Sequence, residues 1–207
     1  MVQMKKSIFI CIVAVVVMLN FLLQKNNTLG YFIEDATSSL VAKVTWFGLI
    51  CAPLLCIVGT IDKWHNGSYL NQLVRTVKLY SLVINIYFIN ILRVFGIVFV
   101  SLLINTLMTG VNGKGEGVFN LFVSYMLYTS IYMLFELLFS STAAVLSVCA
   151  LLLFVALGKS KLSILGTLVF QPDTCIYQTM LTICMTMTLV TVFWQLLKQK
   201  EFYGKGI

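Results

Sequence analysis

Six apolar stretches, separated by short polar segments, constrain this chain more than any other feature. A bilayer core about 30 Å thick takes about 20 apolar residues of helix to cross. The stretches fall at about 7–24, 45–61, 82–107, 119–140, 142–158 and 176–197. Of the 207 residues, 60% are hydrophobic and only 10% charged, too little polar surface for a water-soluble domain. The expected fold is all-α and integral to the membrane: a single transmembrane domain over 1–207 with six transmembrane helices. Lys5 and Lys6 ahead of an apolar run resemble the start of a signal peptide. The run is long, however, and no A-x-A-like site follows it, so it is read as a retained first span.

An even number of spans puts both termini on one side, and charge chooses the side. With the termini cytoplasmic, the inner segments carry eight basic residues: Lys5, Lys6, Lys63, Arg75, Lys78, Lys198, Lys200 and Lys205. The outer segments carry five: Lys25, Lys43, Lys114, Lys159 and Lys161. The expected location is thus a multi-pass cell-membrane protein with cytoplasmic N- and C-termini. The net charge of +7 is accounted for by topology and gives no reason to expect a nucleic-acid partner.

Motifs for covalent chemistry are missing. The single histidine, His65, lies in a linker, so neither a Ser/His pair nor a Cys/His metal set is available. Five of the six cysteines (Cys11, Cys51, Cys56, Cys149 and Cys184) fall in spans, where cysteine acts as a small hydrophobe. Cys175 stands near the outer surface without an obvious partner, and no disulfide framework is expected. Glu136 is the sole carboxylate in any span, which removes two-carboxylate catalysis. No intrinsic active site, catalytic residue or metal site is expected.

Arg93 and Glu136 are the ionisable residues within spans. Each costs at least about 2.5 kcal/mol near a helix centre. Either they pair across spans three and four, or they reach to the membrane boundary, or they line a translocation path.

The linker from Asp62 to Lys78, DKWHNGSYLNQLVRTVK, carries the strongest pattern. Asn66-Gly67-Ser68 offers a turn and an N-cap. From Tyr69, helical spacing puts Leu70, Leu73, Val74 and Val77 on one face and Asn71, Gln72, Arg75 and Lys78 on the other. This predicts a short amphipathic helix along the inner membrane surface. It serves either as a headgroup anchor or as a docking element for a soluble partner. It runs into an overlong third span, Leu79 to Met108, about 45 Å as helix. Pro53 is expected to kink the second span, and Gly48 and Gly59 to allow close helix approach. Spans four and five are expected to form a hairpin turning near Ser140-Ser141-Thr142. Leu162 to Phe170 is read as a short extracellular or re-entrant helix between spans five and six, ended by Gln171-Pro172-Asp173.

Together these features resemble the permease subunit of a type-2 ABC transporter, the small six-span bacterial exporter type. The resemblance rests on GSYLNQLVRTVKLYSLVINIYFINILR (67–93) and VTVFWQLLKQKEFY (190–203). It implies a cytoplasmic coupling helix between spans two and three, with Tyr69, Leu70, Leu73, Val74 and Arg75 meeting a separate ABC ATPase subunit. ATP and Mg would be held there, and no cofactor by this chain. It also implies pairing with a second permease as a homo- or heterodimer. The path would then be lined by spans two and five, including Thr45, Trp46, Cys51, Pro53 and Ser147. The implied cargo is hydrophobic or amphipathic: an antimicrobial peptide by analogy, or a lipid-like molecule. The competing readings are a membrane protein giving immunity or sensing by binding a peptide, and an ATP-independent carrier.

Overall fold

The computed structural model describes residues 14–15, 47–48, 50–61, 79–109, 115–157 and 176–203. Four long helices dominate: α1 (Leu79–Thr109), α2 (Gly115–Leu138), α3 (Ser141–Leu157) and α4 (Ile176–Tyr203). No strand occurs among the described residues. Three of the helices contain windows long and apolar enough to cross a membrane: Tyr80–Ile104, Val118–Leu138 and Ile176–Gln199. The apolar part of α3, Ser141–Phe154, is shorter. These helices mark a membrane protein. The helices expected at 82–107, 119–140, 142–158 and 176–197 correspond in order to α1 through α4. The first span apart from residues 14–15, the coupling helix at Tyr69–Arg75 and the element at 162–172 lie outside the described residues.

The α2–α3 hairpin turns where the sequence predicts. Ala143 N donates to Ser140 Oγ at 3.4 Å and Ala144 N to Ser140 O at 2.8 Å. The serine side chain thereby caps an amide of α3's first turn.

The second stretch departs from expectation. Instead of a kinked helix to residue 61, helical residues 50–54 give way to a tighter 3-10 turn at Leu55–Ile57. Val58 N then donates to Leu55 O and Thr60 N to Ile57 O. Pro53 has no N–H to donate, and its ring crowds the carbonyl four residues back. Gly59 completes the exit at φ 77°, a left-handed conformation that glycine enters without steric cost.

Helix directions follow from a few contacts. Phe95 packs on Phe122 at 4.5 Å between centroids, and Ser130 Oγ lies 2.9 Å from Tyr87 Oη, so α1 and α2 are antiparallel. Asn120 meets Thr179 near the start of both α2 and α4. Met133 and Leu137 share a cluster with Phe193 and Leu197 near their other ends, so α4 runs parallel to α2.

Of the three spanning windows, the least apolar is the most enclosed. In α2, 72% of the spanning window is buried, against 39% in α1 and 22% in α4. Lipid is as good a solvent as a protein core for Leu, Ile and Phe, so apolar side chains face outward at little cost. Hydroxyls and amides turn inward to partners. α2 brings Ser124, Tyr125, Tyr128, Thr129, Ser130, Tyr132 and Glu136 into the interior. Around Tyr125, Tyr128 and Tyr132 the core gathers Ile50, Leu54 and Ile57, Val94 and Ile97 of α1, and Ala144 and Val148 of α3. A second cluster of Ile61, Leu82, Val83, Met133, Leu137, Phe193 and Leu197 closes one end.

Candidate functional site

The polar groups of the bundle form a seam along α2. Tyr87 Oη donates to Met126 O at 3.3 Å. The Ser130 hydroxyl has two acceptors at 2.9 Å, Tyr87 Oη and Met126 O. One carbonyl of α2 is thus shared by a side chain of its own helix and one of α1. Nearer the end marked by Ile61, Asn90 Nδ2 donates to Thr60 Oγ1 at 3.1 Å, tying α1 to the turn after Gly59. Toward the opposite end, Thr179 Oγ1 donates to Asn120 Oδ1 at 3.0 Å, tying α4 to α2. Tyr125 and Tyr128 meet edge to face at 5.8 Å. Other hydroxyls bond back within their own helix: Ser101 to Ile97 O, Thr182 to Gln178 O and Thr186 to Thr182 O. Such bonds satisfy the hydroxyl locally and leave it no reach toward a ligand.

Glu136 is fully enclosed, whereas Arg93 is half-buried. The register that pairs Phe95 with Phe122 and Tyr87 with Ser130 puts Glu136 level with the first turn of α1, near Ser81. From Ser81 to Arg93 is about 18 Å of helix at 1.5 Å per residue. The two charges therefore stand at different depths, beyond the reach of an arginine side chain. Of the other candidate path residues, Ser147 is half-buried on α3, while Thr45 and Trp46 lie outside the described residues. So do all five coupling residues, Tyr69, Leu70, Leu73, Val74 and Arg75.

Sequence reasoning missed one contact. Cys51 and Cys149, 98 positions apart, bring their sulfurs to 3.8 Å. Both thiols border an apolar crevice of about 10 Å3 lined also by Leu54, Leu55, Tyr132, Val145 and Val148. The segment before Pro53 thus packs on α3. The crevice has room for about one water and none for a cargo. Tyr87, Ser130, Thr60, Asn120 and Thr179 were also not singled out, since a lone hydroxyl in an apolar run gives no clue to its partner.

Among the described residues no group of three or more His, Cys, Asp or Glu could hold a metal ion. Chemically, the seam joins helices through hydroxyl, amide and backbone hydrogen bonds. Comparison with family models, curated proteins and solved structures found no match.

Proposed function

We propose that this chain is the six-span membrane subunit of an ABC exporter, multi-pass in the cell membrane with both termini cytoplasmic. It moves a hydrophobic or amphipathic cargo outward using ATP hydrolysed by a separate ATPase. The observation that carries this reading is the unbroken α1, Leu79–Thr109, which begins directly after the amphipathic linker. A 31-residue helix is about 46 Å long. It offers a rigid lever from the membrane surface to the far side. Its first turn leans on α4, where Tyr80 meets Trp194 at 6.1 Å, so a push on the linker would reach two helices at once. A copy whose own crevice admits one water suits a path formed between two permeases.

The competing reading is a membrane protein that gives immunity or sensing by binding a peptide; the internal bonds Tyr87–Ser130, Asn90–Thr60 and Asn120–Thr179 are compatible with both and do not decide between them.

The deciding experiment is co-purification in mild detergent with the ABC ATPase encoded beside it, followed by ATP hydrolysis. The comparison is wild type against Leu73→Asp with Arg75→Glu. A stable, hydrolysing complex lost in the variant supports the permease. Failure of wild type to bind the ATPase moves the assignment to the peptide-binding reading.

A further inference from the structure

One end of the bundle combines a cation, two aromatic rings and a graded groove. Trp194 meets Tyr80 edge to face, at 6.1 Å and 81°. One turn further along α4, exposed Lys198 places Nζ 5.8 Å from the Trp194 ring centroid. Beside Tyr80 runs an open groove of about 490 Å3 along the start of α1. Its walls change character with depth. Tyr80, Ser81 and Asn85 supply exposed polar groups, while Ile84 and Phe88 supply exposed apolar ones. From Tyr80 to Phe88 is about 12 Å of helix, the step from the headgroup layer into the acyl region.

We propose that this groove is a binding site for an anionic glycerophospholipid. The chemistry of each wall matches one part of that molecule. Lys198, on the last turns of α4, meets the headgroup charge. The Tyr80 and Ser81 hydroxyls and the Asn85 amide donate to phosphate and ester oxygens. Ile84 and Phe88 carry the acyl chain. Tyr80 and Trp194 are amphipathic rings suited to the headgroup level, and their contact fixes the depth of the site. A zwitterionic lipid would fill the same groove without the charge pairing, so selectivity rests on the cations at this end, of which Lys198 stands against the Trp194 ring. Glu136, at the same end of α2, is wholly enclosed rather than presented to headgroups. A lysine near an anionic surface contributes about fivefold in binding. The site holds whether or not the chain transports.

The test uses the full chain in phosphatidylcholine nanodiscs, with Trp46→Phe and Trp64→Phe so that Trp194 alone reports. Bromine-labelled phosphatidylglycerol or phosphatidylcholine is added at equal mole fractions. Bromo-phosphatidylglycerol should quench Trp194 at about fivefold lower mole fraction. Lys198→Gln should lower that preference severalfold and Lys198→Arg should keep it. Equal quenching by the two lipids, or a preference undiminished by Lys198→Gln, overturns the proposal. Native mass spectrometry of the chain with all its tryptophans repeats the test without the fluorescence background. Retained phosphatidylglycerol should fall with Lys198→Gln, and unchanged retention again overturns the site.

Discussion

Asn90 donates its side-chain amide to Thr60 Oγ1 at 3.1 Å across a sequence gap of thirty residues. Asn90 is 1% exposed, so this bond is how α1 accommodates an amide where neither water nor lipid can serve it. It also fixes the turn that Gly59 begins against α1. This bond joins the packing of Ile50, Leu54 and Ile57 in holding the Pro53 segment against α1.

Breaking that bond from one side should cost more than removing both partners. Thr60→Val leaves a buried amide short of its acceptor and should destabilise by about 1–2 kcal/mol. Asn90→Leu with Thr60→Val removes the polar pair and should return to within about 0.5 kcal/mol of wild type. Reversible unfolding in mixed micelles with increasing SDS measures all three chains. Equal losses in the single and double variants would mean the amide is not held by Thr60.

Arg93 and Glu136 give a prediction of opposite form. Because the α1–α2 register separates them by about 18 Å along the axis, exchanging their charges restores nothing. Glu136→Arg should be severely destabilising, since the site is fully enclosed. Arg93→Glu should cost less at a half-buried position. Their combination should equal the sum within about 0.5 kcal/mol, as for distant sites. Recovery of folded yield or melting temperature in the double reversal would show that they pair.

The helices were legible because each is a long apolar run stopped by recognisable punctuation: Ser140 as the cap of α3, Gly110 and Gly113 before α2. Their mutual arrangement was not. A helix that is apolar all round has no face for its sequence to announce, so nothing in α1 says that Asn90 points inward while Asn85 stays exposed. The relative depth of Arg93 and Glu136 is equally absent from the sequence, since depth depends on interhelical register and register on contacts such as Phe95–Phe122. Pro53 and Gly59 were visible as breakers. Whether they bend a helix or end it was decided by what lay opposite, namely Thr60 meeting Asn90. Cys51 and Cys149 came together only through the packing of two segments, a relation that spacing in the chain does not encode.

Two glycines should respond in opposite directions to alanine. A methyl group at Gly96 would meet nothing within 4 Å, so Gly96→Ala adds helix propensity without crowding and should stabilise by about 0.5–1 kcal/mol. Gly59 holds φ 77°, and Gly59→Ala should destabilise by about 1–2 kcal/mol through backbone strain. The same SDS titration separates them. A loss on Gly96→Ala would mean that another helix closes on that face in the assembled protein.

The contact between Cys51 and Cys149 offers a test of the packing that owes nothing to stability. The sulfurs stand 3.8 Å apart, close enough for an oxidant to join them with a small adjustment, whereas thiols on separated helices need backbone movement. Both thiols border an apolar crevice, out of easy reach of aqueous oxidants. Iodine, which partitions into the bilayer, is therefore the suitable reagent: it takes two electrons from the thiol pair, forms the S–S bond and leaves as iodide with the two protons. After treatment, denaturation and maleimide labelling, the full chain should carry two fewer labels than before. Digestion should then release a peptide pair joined through Cys51 and Cys149. Cys51→Ser or Cys149→Ser should abolish the linked pair while leaving the other cysteines labelled. A linked pair that instead joins two copies of the chain would place these thiols at an intermolecular surface, and no linkage at all would mean that the segment before Pro53 does not pack on α3.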